Sequence, residues 1–134
     1  MTVLELLAVY MLGAFGYGGI ELLWRGRTHW SMLVTGGICF LCMYMIENLS
    51  RERRWRKYLM CTAVITTFEL IAGMIVNLRM GWDVWDYSDM PLNLSGQICL
   101  GFSAAWLMLS IPGTALCRVL RRFILHKGLR PRRP

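Results

Sequence analysis

The stretch YLMCTAVITTFELIAGMIVNL, residues 58–78, decides how this chain must be read. It contains a single ionisable acid or base, Glu69, in a run otherwise rich in Leu, Ile, Val, Met and Ala. At ~1.5 Å of rise per residue such a run crosses the ~30 Å hydrocarbon core of a bilayer as one helix. Strict alternation of apolar and polar residues, the mark of a membrane β-strand, is missing, which argues against a barrel. Working outward, residues 3–23, 30–48 and 94–119 have the same character. The expected fold is all-α: a polytopic membrane protein with four transmembrane helices.

Composition agrees with this reading. Hydrophobic residues make up 56% of the 134 and charged residues 17%, against ~25% charged in a soluble domain. The charges also gather in short blocks between the apolar runs, which separates a membrane protein from a merely apolar soluble one. The length suits one domain, divided into a four-helix transmembrane domain over 1–119 and a basic cytoplasmic tail over 120–134.

The net charge of +7 invites a nucleic-acid reading, but its placement points to orientation. Arg51, Arg53, Arg54, Arg56 and Lys57 lie between the second and third spans. Arg118, Arg121, Arg122, Lys127, Arg130, Arg132 and Arg133 lie at or beyond the end of the fourth. In a four-span chain these regions share one side, and the other side keeps only Arg25, Arg27 and Arg79. The positive-inside rule then puts both termini in the cytoplasm. The basic loop and tail are expected to meet anionic lipid headgroups, and no nucleic-acid partner is expected. No Lys or Arg precedes Arg25, so the first span is expected to be a retained helix and not a cleaved signal peptide.

All five cysteines fall inside the spans. Cys39 and Cys42 have redox or zinc spacing, but no His or acid stands beside them in the apolar run. Packing is the expected role, with no metal and no cofactor.

Within the spans, Glu69 carries the most information. It falls near the membrane midplane, where an acid costs at least ~2.5–3.5 kcal/mol to insert. Thr62, Thr66, Glu69, Gly73 and Asn77 recur at helical spacing on one face. That face is expected either to wall a polar cavity, with Glu69 as a solute or proton site, or to form a hydrogen-bonded helix seam. Small residues of the first span, such as Ala14 and Gly18, permit close helix packing. Glu21 and Arg25 stand four apart and can pair. In the third loop, Trp85 and Asp86 belong to an alternation of aromatics and acids that could hold a cation or close the outer surface. Asn93 and Gln97 continue this polar surface, with Asn93 a candidate cap for the fourth helix. The expected solute-contacting set is therefore Glu69, Asn77, Thr66, Glu21, Arg25, Trp85, Asp86, Asn93 and Gln97. Glu5, Glu47 and Asn48 lie near span ends and are assigned no role. Gly36-Gly37-Ile38-Cys39-Phe40 resembles Gly96-Gln97-Ile98-Cys99-Leu100. This is either a trace of two helical hairpins in parallel repeat or chance.

The segments Val84-Trp85-Asp86-Tyr87-Ser88 and Pro91-Leu92-Asn93-Leu94-Ser95-Gly96-Gln97-Ile98-Cys99-Leu100 resemble the putative ABC-transporter type IV family of small bacterial membrane proteins. That family shows a similar Trp-Asp-Tyr-Ser step followed by Asn-x-x-Gly and Ile-Cys-Leu. Gly16-Tyr17-Gly18-Gly19-Ile20-Glu21 resembles its first helix more loosely. The resemblance implies a multi-span permease of the bacterial cytoplasmic (inner) membrane. The chain has no Gly-x-x-x-x-Gly-Lys-Ser/Thr phosphate loop, so ATP-driven transport would need the ATPase from another subunit.

Three functions are compatible with these residues. The first is a permease or transporter component for a small solute, working as a homo-oligomer or with a partner membrane subunit, because four helices make a thin pathway. The second is a non-transporting membrane accessory protein that binds a partner. The third is a membrane enzyme using Glu21, His29 and the third-loop acids. It has no nucleophile motif and no metal spacing behind it, so no enzyme activity is expected.

Overall fold

The computed structural model describes residues 2–26, 29–79, 81, 89, 91–94, 96 and 98–126; the side chains of residues 24, 25, 78, 79, 93, 94, 99 and 126 lie outside that description. Four long helices account for most of them: α1 Val3–Arg25, α2 Trp30–Leu49, α3 Arg54–Gly73 and α4 Leu100–His126. Each is long and apolar enough to cross a membrane, as the sequence led us to expect. Their outer faces suit lipid. Phe15, Ile20, Met108, Val119 and Phe123 are all more than half exposed, a surface that would be costly in water.

The helix ends follow local chemistry. Thr2 caps α1, its Oγ1 accepting from the Glu5 amide at 3.1 Å. Gly26 ends α1 at φ 70, in the left-handed region where a Cβ would be strained. His29 caps α2, its Nδ1 accepting from the Ser31 amide at 3.2 Å.

Three helix boundaries differ from the sequence reading. α3 begins at Arg54, inside the basic block, because hydropathy marks where hydrocarbon begins and not where the helix does. At its other end α3 passes into a π-helical turn, Met74–Arg79, and the continuous apolar span is Arg54–Asn77. α4 begins at Leu100. The residues expected to open it form an antiparallel hairpin of β1 Asn93–Leu94 and β2 Ile98–Cys99, with Asn93 opposite Cys99 and Leu94 opposite Ile98. Gly96, at φ 70, lies in the turn, so Asn93 sits in a strand and does not cap α4. At its far end α4 runs on to His126, past the expected end at Val119.

α2 is the central helix. α1 packs along it, α3 and α4 pack on it, and α3 and α4 pack on each other. The α1–α2 seam depends on glycine: a Cβ on Gly36 would lie 2.7 Å from the Tyr17 Cβ, and one on Gly37 2.7 Å from the Tyr10 ring. Val9, Cys39, Met43, Tyr44, Cys61, Ile65 and Cys117 form the main buried cluster. Three of its members are free thiols, used for packing. Residues 36–40 lie within α2, whereas Ile98–Cys99 is a strand, so the two similar segments are not structurally equivalent.

Pro112 interrupts the hydrogen-bond ladder of α4. The hydroxyls beside it bond back to their own helix: Ser110 Oγ donates to the Trp106 carbonyl at 2.8 Å and Thr114 Oγ1 to the Ser110 carbonyl at 2.7 Å. Both side chains are thereby buried without an unmet hydroxyl.

Candidate functional site

α1 and α4 flank a cavity of about 530 Å³, with α2 as its floor and Ile65 and Glu69 of α3 at its back. Its mouth is apolar and faces outward from the bundle, between Leu12 and Ile20 on α1 and Leu109 and Leu116 on α4, each at least half exposed. Among the described residues, the walls are apolar apart from Glu69, Tyr17, Thr35 and the indole N–H of Trp106, and none that lines them is Lys, Arg or His.

Glu69 lies on the buried side of α3 and is only 8% exposed. The Trp106 Nε1 donates to its Oε2 at 3.0 Å. A hydrogen bond to a carboxylate contributes ~1.5–3 kcal/mol, which offsets much of the ~2.5–3.5 kcal/mol insertion cost. Tyr17 completes the group: its ring centroid is 6.1 Å from that of Trp106, the planes tilted by 39°. The Tyr17 hydroxyl donates to Glu21 Oε1 at 3.1 Å. Among the described residues the cavity thus presents one acid, beside the Trp106 and Tyr17 rings, on a wall that is otherwise apolar but for Thr35.

The polar stripe of α3 divides between the two roles considered for it. Thr62 Oγ1 donates to its own helix at the Tyr58 carbonyl, 2.9 Å away, and Thr66 Oγ1 lies 3.4 Å from Ser103 Oγ across the α3–α4 seam. Asn77 is buried in the π-helical turn and is not part of the cavity wall. Of the stripe, Glu69 alone reaches the cavity. The expected polar cavity is instead an apolar groove with one acid at its back, because the threonine hydroxyls are satisfied by helix carbonyls and by the seam. Glu21 joins the site indirectly, through Tyr17. Trp85, Asp86 and Gln97, with the side chains of Arg25 and Asn93, lie outside the described residues.

The sequence reading missed two other buried acids. Glu5 is 4% exposed. It accepts from the Tyr44 hydroxyl and the Arg121 guanidinium, which joins α1, α2 and α4. Glu47 is 5% exposed. It meets Arg118 at 2.9 Å, Arg54 at 3.5 Å and Lys57 at 3.9 Å, which joins α2, α4 and α3. Lys57 Nζ also donates to the Glu47 carbonyl at 2.8 Å. The two clusters tie all four helices together at the basic end of the bundle. They lie just past Leu120 and Met43, where the groove ends. A signal for them existed in the sequence: two acids at helix ends on the side that carries two basic blocks, with Arg118 and Arg121 three apart on α4.

Among the described residues, no group of three or more His, Cys, Asp or Glu is placed to hold a metal ion. His29, the histidine of the enzyme reading, is engaged in capping α2.

No solved structure matches the chain at a significant level. A family model described as putative ABC-transporter type IV matches residues 4–128, which takes in all four helices and both ionic clusters. This chain, with four helices long and apolar enough to span a membrane, belongs to the putative ABC-transporter type IV family.

Proposed function

We propose that the chain is the membrane-spanning part of a permease, and that the groove between α1 and α4 is its solute site with Glu69 as the anchoring group. The observation that carries this reading is a 92%-complete burial of an acid at the back of a 530 Å³ cavity. Placing Glu69 among lipid-facing residues would be costly, and cavities of ~300–1,000 Å³ suit small-molecule ligands. Energy and a second wall come from partners: an ATPase subunit, another membrane subunit or a second copy of this chain. The basic end faces the cytoplasm of a bacterial inner membrane. The Glu5–Arg121 contact bridges the two helices that flank the groove, so it holds the groove shut on that side. Solute release there requires α1 and α4 to part at this ion pair.

The test is movement of a panel of labelled cationic, anionic and neutral solutes by cells or inverted vesicles expressing the protein with its partners. Glu69→Gln keeps the side-chain shape and an acceptor for Trp106, so it should fold normally and lose flux of at least one solute that the wild type moves. Undiminished flux of every such solute in correctly folded Glu69→Gln would remove Glu69 from the pathway.

A second reading, a non-transporting accessory subunit, draws on the ionic clusters that pin all four helices at one end. It predicts no flux with any partner and full partner binding by Glu69→Gln.

A further inference from the structure

The basic end of the bundle holds more positive charge than its acids can match. Arg54, Lys57 and Arg118 converge on Glu47, so three cations share one carboxylate. The other acids at this end are engaged, Glu5 with Arg121 and Glu52 with Arg56. The sequence carries no Asp or Glu after Asp89, so the tail beyond α4 adds no acidic side chain. Arg54 and Arg118 approach the same atom, Glu47 Oε1, through their Nη1 nitrogens, at 3.5 and 2.9 Å. Two guanidinium groups, one from α3 and one from α4, are thereby held side by side. Like charges this close repel each other, and a second anion between them would relieve that repulsion. Both arginines can offer N–H donors to one: 51% of the Arg54 side chain and 32% of the Arg118 side chain stay exposed. The planar fork of a guanidinium matches phosphate oxygens.

Depth and flanking surface identify the anion. Glu47 lies two residues from the end of the span Trp30–Leu49, and Arg54 opens the span Arg54–Asn77. The pair therefore sits where apolar helix gives way to the headgroup layer. Leu59 on α3 and Val119 on α4 are half exposed or more, which supplies apolar helix surface for acyl chains. Basic pockets between transmembrane helices at this level hold anionic lipid headgroups. We infer that Arg54 and Arg118 bind the phosphate of an anionic phospholipid between them, its chains lying along α3 and α4. The surplus positive charge favours a headgroup of net negative charge over a zwitterionic one. The diffuse attraction expected of a basic loop and tail depends on charge alone, whereas this site depends on the geometry of two forks. The site is separate from the groove, since none of Glu47, Arg54 and Arg118 lines it.

The experiment uses the full chain in an uncharged detergent, dodecyl maltoside, titrated with phosphatidylglycerol or with phosphatidylcholine of the same chain length. Native mass spectrometry counts the lipids that stay bound. The expected result is saturable binding of phosphatidylglycerol, with phosphatidylcholine weaker. Arg54→Lys keeps the charge and removes the fork at a side chain that is half exposed, so the fold should be unaffected. It should weaken phosphatidylglycerol at least about fivefold. Arg118→Lys should weaken it too, and Arg54→Lys carries the test alone if that variant does not fold. Arg51→Lys with Arg53→Lys, which keeps charge on the exposed loop, should leave binding unchanged. Wild-type binding by Arg54→Lys, or an equal loss in the Arg51 and Arg53 double variant, overturns the inference and leaves diffuse attraction. Equal binding of both lipids overturns it as well. Inorganic phosphate that competes as well as phosphatidylglycerol makes the pair a soluble-anion site and overturns the lipid assignment. Absence of saturable phosphatidylglycerol binding to folded wild type overturns it and leaves the surplus charge to an acidic partner protein.

Discussion

Removing Glu47 should be among the most destabilising single changes outside the apolar core. Its side chain is 2% exposed and lies 2.9 Å from Arg118 and 3.9 Å from Lys57. Removing one partner of a fully buried ion pair costs ~3–5 kcal/mol, because the other charge stays desolvated. Here the cations are less buried than the acid. Arg118 is 32% exposed and can turn toward headgroups, and Lys57 keeps the Glu47 backbone carbonyl at 2.8 Å. The expected cost of Glu47→Ala is therefore at the low end of that range, about 3 kcal/mol. Arg54 offers an internal control: it is 51% exposed at 3.5 Å from the same acid, and Arg54→Ala should cost under about 1 kcal/mol. The assay is reversible unfolding in mixed micelles by titrated dodecyl sulfate, followed by tryptophan fluorescence. The double variant with Arg118→Ala should show a coupling of about 1–2 kcal/mol, as contacting residues in one network do. A Glu47→Ala cost no larger than that of Arg54→Ala, or a coupling below about 0.5 kcal/mol, would refute the buried cluster.

Other consequences are open to simple assays. Gly36→Ala should destabilise by about 1–3 kcal/mol through overpacking against Tyr17, although alanine is the better helix former by ~1 kcal/mol; the same unfolding titration reads the sign. Arg121→Ala should loosen the basic end. A Leu120→Cys probe at the foot of the groove would then react faster with a membrane-impermeant thiol reagent applied from that side than it does with Arg121 intact. In a Cys99→Ser background, Cys42, which is partly exposed, should be alkylated before Cys61 and Cys117, which are 1% and 0% exposed. Simultaneous labelling of all three would contradict the core packing.

The fold was legible because long apolar runs admit few structures in a bilayer, where the backbone must satisfy its own hydrogen bonds. Glu69 was legible for the same reason: a lone acid in residues 58–78 has to face protein. The character of its surroundings was not. Thr62 and Thr66 mark a polar face, yet a hydroxyl can be satisfied by its own helix or by the next one, and spacing does not say which. The wall beside Glu69 comes from Trp106 and Tyr17 on two other helices, and their convergence is a tertiary fact. Glu5 and Glu47 were overlooked because position near a span end suggests solvent access. Their burial depends on Arg121 and Arg118 at the end of α4, more than seventy residues away from Glu47. The hairpin before α4 was hidden because residues 94–99 are as apolar as a helix start, while Gly96 turns the chain.

The groove serves as a solute site only if solute meets Glu69 inside it. Trp106 reports on that directly, since its Nε1 is bonded to the Glu69 carboxylate at 3.0 Å. The decisive measurement is the indole N–H spectrum of ¹⁵N-labelled protein in nanodiscs, assigned with Trp106→Phe and titrated with a solute that the protein moves. The account predicts a saturable shift of the Trp106 resonance, absent in Glu69→Gln, while Trp55 at the basic end stays still. A Trp106 resonance that does not move at solute concentrations that saturate transport would contradict it.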